Sequence, residues 1–287
     1  MEFAKQSEKP VNPLQKYFRQ PAIYIKLPSG GQYWGAGSLN LPVTGEIPVY
    51  PLTTRDEITL RTPDALMNGA GVVEAIQSCC PSILNAWEMP SIDVDTVLIA
   101  VRIASYGHDM DFDVNCPHCQ SENTFSQDLR EILAAVKVPD FSQTLETENL
   151  IIKLKPAAYF STNLNNQINF EEQKLLRAVE QTELPDEERS NIIQTSMKRL
   201  IDIGLDNLTA VTEYIATADG DVVTDAAFIR EFYYNVSSDT VNKINSQLAE
   251  FTKENSLPPL NATCTSCTKP FEVPVEFNYS SFFGKGF

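Results

Sequence analysis

Histidine is almost missing from this sequence: His108 and His118 are the two among 287 residues. That leaves little material for imidazole bases, and no H-E-x-x-H, no G-x-S-x-G and no glycine-rich phosphate loop is present. Long apolar runs are missing as well; none reaches the roughly 18 to 20 residues of a membrane span, and the N-terminus lacks the basic-then-apolar layout of a secretory signal. Basic residues are scarce: 22 Lys and Arg stand against 38 Asp and Glu, a formal charge of -16. Such a balance disfavours non-specific nucleic-acid binding, which needs clustered cations to displace counterions from phosphates. Low-complexity runs and solenoid periods are absent too. The expectation is a non-enzymatic globular protein of a reducing cytosol, with no membrane, nucleic-acid or small-molecule partner.

The charge that is present is unevenly spread. From Met1 to Thr44 the chain is net +3, and the remainder is -19. A basic arm on an acidic body can dock on its own body or on a neighbouring copy. Within the arm, "IYIKL" alternates apolar and polar residues before a Pro-Ser-Gly-Gly turn, which reads as a strand and a turn. Thr54 followed by Glu57 reads as a capping box, and Thr62-Pro63 as a second helix start. Further helices are expected over "GVVEAIQSCCPSI", stopped by Pro81, and over the apolar "DVDTVLIAVRIASYG".

After Gly107 the period changes to alternation at Met110, Phe112 and Val114, leading into Cys116. A strand, a tight turn through Cys116 and Cys119, and a returning strand follow from that pattern. Leu150 to Leu154 is another strand, stopped by Pro156. From Pro156 to about Leu257 apolar residues recur three or four apart, as in Val241, Ile244, Leu248 and Phe251, so the stretch reads helical. Strand-like alternation then returns at Phe271, Val273 and Val275, directly after Cys264 and Cys267.

The two C-x-x-C turns, Cys116/Cys119 and Cys264/Cys267, are the strongest chemical signal. Each delivers two thiolates from a tight loop, and zinc takes four in a tetrahedron. The 144 residues between Cys119 and Cys264 are compatible with one site, because loop-closure entropy grows only logarithmically with length. Cys116-Pro117-His118-Cys119 also matches the active site of strongly oxidising thiol-disulfide oxidoreductases. That chemistry asks for a helix beginning at the thiols, whereas "QSENTFSQDL" follows, and it leaves Cys264 and Cys267 unused. A structural Zn2+ on Cys116, Cys119, Cys264 and Cys267 is therefore expected, with no open position for catalysis. His118 is expected to face outward, Cys79 and Cys80 to be small buried hydrophobes, and Asp109, Asp111 and Asp113 to form a solvated strand face.

The stretches "NPLQKYFRQPAIYIKLPSGGQYW", "IPVYPLTTRDEITLRTPDALMNG", "IQSCCPSILNAWEMPSIDVDTVLIAVRIASYG" and "CPHC", in that order and spacing over roughly residues 12 to 130, resemble the baseplate hub and hub-assembly proteins of T-even-type, contractile-tailed bacteriophages. The resemblance implies a protein of tail morphogenesis in the host cytoplasm, retained in the virion tail baseplate or released on completion. Its implied partners are other baseplate hub subunits and the tape-measure protein. It supplies no catalytic residues. The fold expected is α+β and mainly α-helical. Its parts are an N-terminal strand-turn arm (1–48), a helical domain (49–108), two halves of a zinc ribbon (109–137 and 258–280), an acidic helical insertion between them (138–257) and an aromatic tail (281–287). In that tail Phe282, Phe283 and Phe287 are read as interface anchors or as folding back onto the ribbon. A zinc-ribbon adaptor in transcription or nucleic-acid processing is the alternative function, opposed by the acidic "DMDFDVN" and "FEVPVEF" around the turns. A thiol-disulfide oxidoreductase is the remote one.

Overall fold

A computed structural model describes residues 12–62, 69–147, 149–182, 185–273 and 282–283. Its first sheet is a hairpin of β1 (Ile23–Lys26) and β2 (Glu46–Val49), antiparallel with Ile25 opposite Ile47. The Pro-Ser-Gly-Gly turn forms as its residues require, with Gly30 and Gly31 at φ 62° and 85°. Its Ser29 is fixed by the buried carboxylate of Asp93, which accepts from Ser29 N at 2.7 Å, Ser29 Oγ at 2.5 Å and Trp34 Nε1 at 2.9 Å. Burial lifts the Asp93 carboxyl above its ordinary value, although the Ser29 and Trp34 bonds pull the other way.

Helix α1 (Thr54–Leu60) begins one residue before the box read from sequence: Thr53 caps it, and Asp56 closes the box. The overlapping Thr54/Glu57 frame loses because Asp56 also accepts from Ser78 Oγ at 3.0 Å and Arg19 Nη1 at 3.4 Å. Arg19 further donates to Pro51 O and Ser78 O, so this residue of the basic arm docks on its own body. The helix start at Thr62-Pro63 lies outside the described residues. Helix α2 (Ala70–Cys79) starts from Gly69 at φ 75°, where a Cβ would lie 2.8 Å from the Asn163 side chain. Helix α3 (Ser91–Tyr106) is buried on most sides, as its composition predicts, and ends at Gly107.

Strands β3 (Asp109–Asn115) and β4 (Glu122–Asp128) pair antiparallel with Phe112 opposite Phe125. Asp109, Asp111 and Asp113 all point to solvent. Helix α4 (Leu129–Ala135) follows, capped by Asp128. Strands β5 (Thr144–Glu146) and β6 (Leu150–Leu154) open a second lobe. Its long helices are α5 (Tyr159–Gln181) and α6 (Asp186–Val211), and no helix among the described residues is apolar enough to cross a membrane.

Helix does not persist from Pro156 to Leu257. Strands β7 (Thr212–Thr217) and β8 (Val222–Val223) interrupt it and complete an antiparallel four-stranded sheet in the order β5-β6-β7-β8. The α6 stripe of Leu205, Leu208 and Val211 runs into Thr212 with no glycine or proline between, so nothing breaks the helical period on paper. Helices α7 (Ala226–Asn235) and α8 (Ser238–Asn255) then form where their stripes and their caps, Asp225 and Ser237, place them. Strands β9 (Leu260–Thr263) and β10 (Pro270–Val273) pair as the last hairpin.

Two cores result. The first gathers Ile25, Ile47, Ile76, Val97, Ile99 and Leu129, and it also takes in Phe282 and Phe283 from the far end of the chain. These two are 1% and 6% exposed, so they are core residues of the N-terminal lobe rather than surface anchors or a cover for the ribbon; Phe287 lies outside the described residues. The second core joins Ile152, Leu154 and Ile215 of the sheet to Leu208, Ile229, Ile244 and Phe251 of the helices. Ile92, at the start of α3, belongs to the second core while the rest of that helix serves the first. Helix α3 is thus a beam common to both lobes, and the β3/β4 and β9/β10 hairpins occupy the two chain crossings between them.

Candidate metal centre

Each cysteine pair sits in the turn of one of those two hairpins, and the turns have the same construction. In the first, Cys116 N donates to Ser121 O at 3.0 Å and Gln120 N to Cys116 O at 2.8 Å. In the second, Cys264 N donates to Lys269 O and Thr268 N to Cys264 O, both at 3.0 Å. Gln120 and Thr268, each directly after the second cysteine, both have φ 60°. A left-handed residue there turns the chain back into the returning strand, and here it is done without glycine.

The two turns face each other. Cys116 Sγ lies 3.7 Å from Cys267 Sγ and Cys119 Sγ 3.6 Å from Cys264 Sγ, and all four sulfurs fall within 4.8 Å of one another. Four thiolates around one zinc at about 2.3 Å would stand about 3.8 Å apart. A disulfide needs roughly 2.0 Å, and all six cysteines are free thiols. The cluster is therefore compatible with a metal site, with Cys116 and Cys264 buried, Cys267 half-buried and Cys119 at the surface.

The surroundings favour negative charge on two of the sulfurs. Cys264 Sγ accepts from Cys267 N and Ser266 N, both at 3.4 Å. Those backbone donors, Cys267 first, with the Ser121 hydroxyl, pull the Cys264 thiol down to about 5. The Ser121 hydroxyl, 2.9 Å away, does the same for Cys119. Cys267 moves the other way, to about 11: the Lys269 backbone bond lowers it, and burial with the sulfurs of Cys119, Cys264 and Cys116 more than offsets that. Adjacent sulfurs cannot all hold charge unless a cation lies among them.

One residue that the spacing of the cysteines does not reveal is Asn123. Its side chain is buried, donates to Ser121 O at 2.8 Å, and accepts from Thr265 N and Thr265 Oγ1, both at 2.8 Å. It therefore stitches the first turn to the second, 142 positions away in sequence. The signal available was alternation: β4 puts Asn123 on the same inward face as Phe125, which meets Phe271 edge-on at 6.0 Å. A polar residue in an apolar phase marks a buried hydrogen-bond job.

The other candidates fall elsewhere. His118 is exposed on the turn. Cys79 and Cys80 are fully buried in the first core, and burial pushes the Cys79 thiol up to about 12 although Arg19 opposes it. His108, Asp109 and Asp128 also come together, but Asp128 is engaged by Arg130, which holds its carboxyl down at about 2.

A family model described as T4 bacteriophage base plate protein matches residues 21–284. No curated protein and no solved structure matches the chain.

Proposed function

The chain belongs to the T4 bacteriophage base plate protein family, whose match takes in both lobes and both cysteine pairs, and from that premise we propose that it is a non-enzymatic structural or assembly protein of the baseplate hub. It acts through contacts with other hub subunits and with the tape-measure protein, in the host cytoplasm during assembly and at the tail baseplate thereafter. The match from residue 21 to residue 284 is the observation that carries this reading. It extends well past the 12–130 stretch on which the resemblance rested, so the matched region takes in the helical lobe and the positions of the second cysteine pair.

Within this reading Cys116, Cys119, Cys264 and Cys267 hold a structural zinc. Four thiolates leave no site for water or substrate, so the metal would contribute fold rather than chemistry. It would fasten β9/β10 to β3/β4 across the whole second lobe. The acidic Asp109, Asp111 and Asp113 on the solvent face of β3 speak against a nucleic-acid-binding ribbon.

Two measurements test the proposal. Metal analysis of the purified full-length chain should give about one zinc per chain, removed by chelation together with loss of ordered ribbon structure. Metal-free, fully folded protein that closes a Cys116–Cys119 disulfide would sink the zinc assignment. For the assembly role, infection by phage lacking this gene product should yield tails without complete baseplates, and the tagged protein should cross-link to hub subunits in assembly intermediates. Normal, infective tails in its absence would overturn it.

A further inference from the structure

Where the two lobes meet, a cleft of about 660 Å³ opens between α5, the C-terminal end of α8 and the start of α3. This is in the range of ligand-binding cavities. Its lining departs from the usual apolar one. Helix α5 contributes Thr162, Asn165, Asn166 and Asn169, a stripe at the i, i+3, i+4, i+7 spacing that elsewhere in this chain carries apolar residues to a core. Here the stripe carries amides and faces open space.

Among the described residues, two acceptors in the cleft lack protein partners. Asn255 Oδ1 is buried with no hydrogen bond. Among the described residues neither a hydrogen bond nor an ion pair reaches the Asp95 carboxylate, which is desolvated enough that burial raises its pKa. An acceptor removed from water without a donor is unfavourable, so the cleft as it stands calls for donors. Lys155 also lines it, and no ion pair joins it to Asp95. Asn165 donates to Asn207 Oδ1 at 2.9 Å; no side-chain hydrogen bond among the described residues engages Asn166 or Asn169.

We propose that this cleft binds an extended segment of a partner protein, its main chain paired with the amide face of α5 and an arginine or lysine side chain of that segment directed at Asp95 and Asn255. The chemistry matches at each point. A carboxamide offers one acceptor and two donors, the complement of a peptide group. Four residues of helix, from Asn165 to Asn169, rise about 6 Å, and two residues of extended chain span about 6.6 Å, so Asn169 and the groups of Asn165 left over from its bond to Asn207 meet alternate peptide groups. The C-terminal end of α8 adds a favourable field for a cation, and the chain's charge of -16 steers a basic partner toward it. This goes beyond the hub assignment and stands without it, since nothing in the cleft depends on the metal.

The test uses the full-length, metal-replete chain and a random nine-residue peptide library, followed by titration calorimetry on enriched peptides. Enriched sequences should share a basic residue. Replacing it with glutamate, or making Asp95→Asn in the protein, should weaken binding at least about tenfold, as loss of a charge-assisted hydrogen bond does. The Asn166→Ala/Asn169→Ala double variant should weaken every enriched peptide alike while keeping the basic preference, a split that a folding defect would not give. No enrichment, enrichment indifferent to Asp95→Asn, or free arginine binding as tightly as the peptides would overturn the proposal; the last would make the cleft a small-molecule site. Circular dichroism of each variant checks that its fold is intact.

Discussion

A fold of this size holds single residues whose loss is felt far from their neighbours in sequence, and Asp93 is the clearest. Its carboxylate takes three donors from the turn at Ser29 and from Trp34, so it fastens the first hairpin to the beam helix. Asp93→Ala leaves the buried Ser29 N and Oγ donors without their acceptor, while Trp34 Nε1 keeps its 3.3 Å bond to Ser29 Oγ, and the expected loss is on the order of 3 kcal/mol in urea unfolding. Asp93→Asn keeps one acceptor oxygen but turns an NH2 toward a donor, so a smaller loss, on the order of 2 kcal/mol, is expected. Equal stability of all three proteins would mean that the turn is held by something else. The turn was legible from Pro28, Ser29, Gly30 and Gly31, and α3 from its apolar residues. The bond between them was not, because an aspartate near a helix start reads as a solvated dipole partner until its tertiary neighbours are known. The same holds for Thr53 and Asp56: two overlapping Thr-x-x-acid frames were written in the chain, and contacts with Ser78 and Arg19 chose between them.

At the scale of elements, the period of the apolar pattern carried most of what could be read. The strands around Cys116 and behind Cys264, the helices ending before Pro81 and at Gly107, and the α8 stripe all stand where alternation or helical spacing put them. Strand β7 escaped because Leu205, Leu208 and Val211 hand over to Thr212 without a breaker. Its β-branched Thr212, Ile215 and Thr217, followed by a turn through Gly220 at φ 92°, were the contrary signal, outweighed by the helices on either side. The cysteine turns show the reverse case: the meeting of the two C-x-x-C pairs was legible, and the strain within their turns was not. Gln120 and Thr268 both hold φ 60°, a conformation that costs an L-residue on the order of 1 kcal/mol. Gln120→Gly should therefore leave stability unchanged or raise it by about 1 kcal/mol, since relief of strain competes with glycine's greater unfolded entropy. Gln120→Val should lower it by more than that, a β-branched side chain being the poorest fit to this region. The same pair of changes at Thr268 should give the same order if the two turns are equivalent halves of one clasp. Chemical denaturation of the four variants, with zinc saturating, reads this directly.

For the whole molecule, the decisive fact is where the end of the chain goes. After the second lobe the polypeptide returns through β9 and β10, brings Cys264 and Cys267 to Cys116 and Cys119, and inserts Phe282 and Phe283 into the first core. Arg102 Nη1 closes over that insertion by donating to Phe282 O at 2.7 Å. Sequence alone showed aromatics among glycines, which suits a surface anchor as well as a plug; only burial separates the two. Because the plug packs into the first core after the chain has passed through the second lobe, the returning chain meets earlier parts of the chain twice, once at the cysteine cluster and once through aromatic packing. Phe282→Ala should cost on the order of 3 to 5 kcal/mol, the range for a large core aromatic, and Phe283→Ala, less deeply buried, somewhat less. Calorimetry then separates the two fastenings. The intact, metal-replete chain should unfold in one transition, because neither lobe can open without tearing out the clasp or the plug. Chelation of the wild type should weaken the coupling while the plug persists, and chelation of Phe282→Ala should resolve two transitions, one per core. A single transition in chelated Phe282→Ala would show that α3 alone, through Ile92 in one core and Val97 to Val101 in the other, is enough to make the two lobes one cooperative unit.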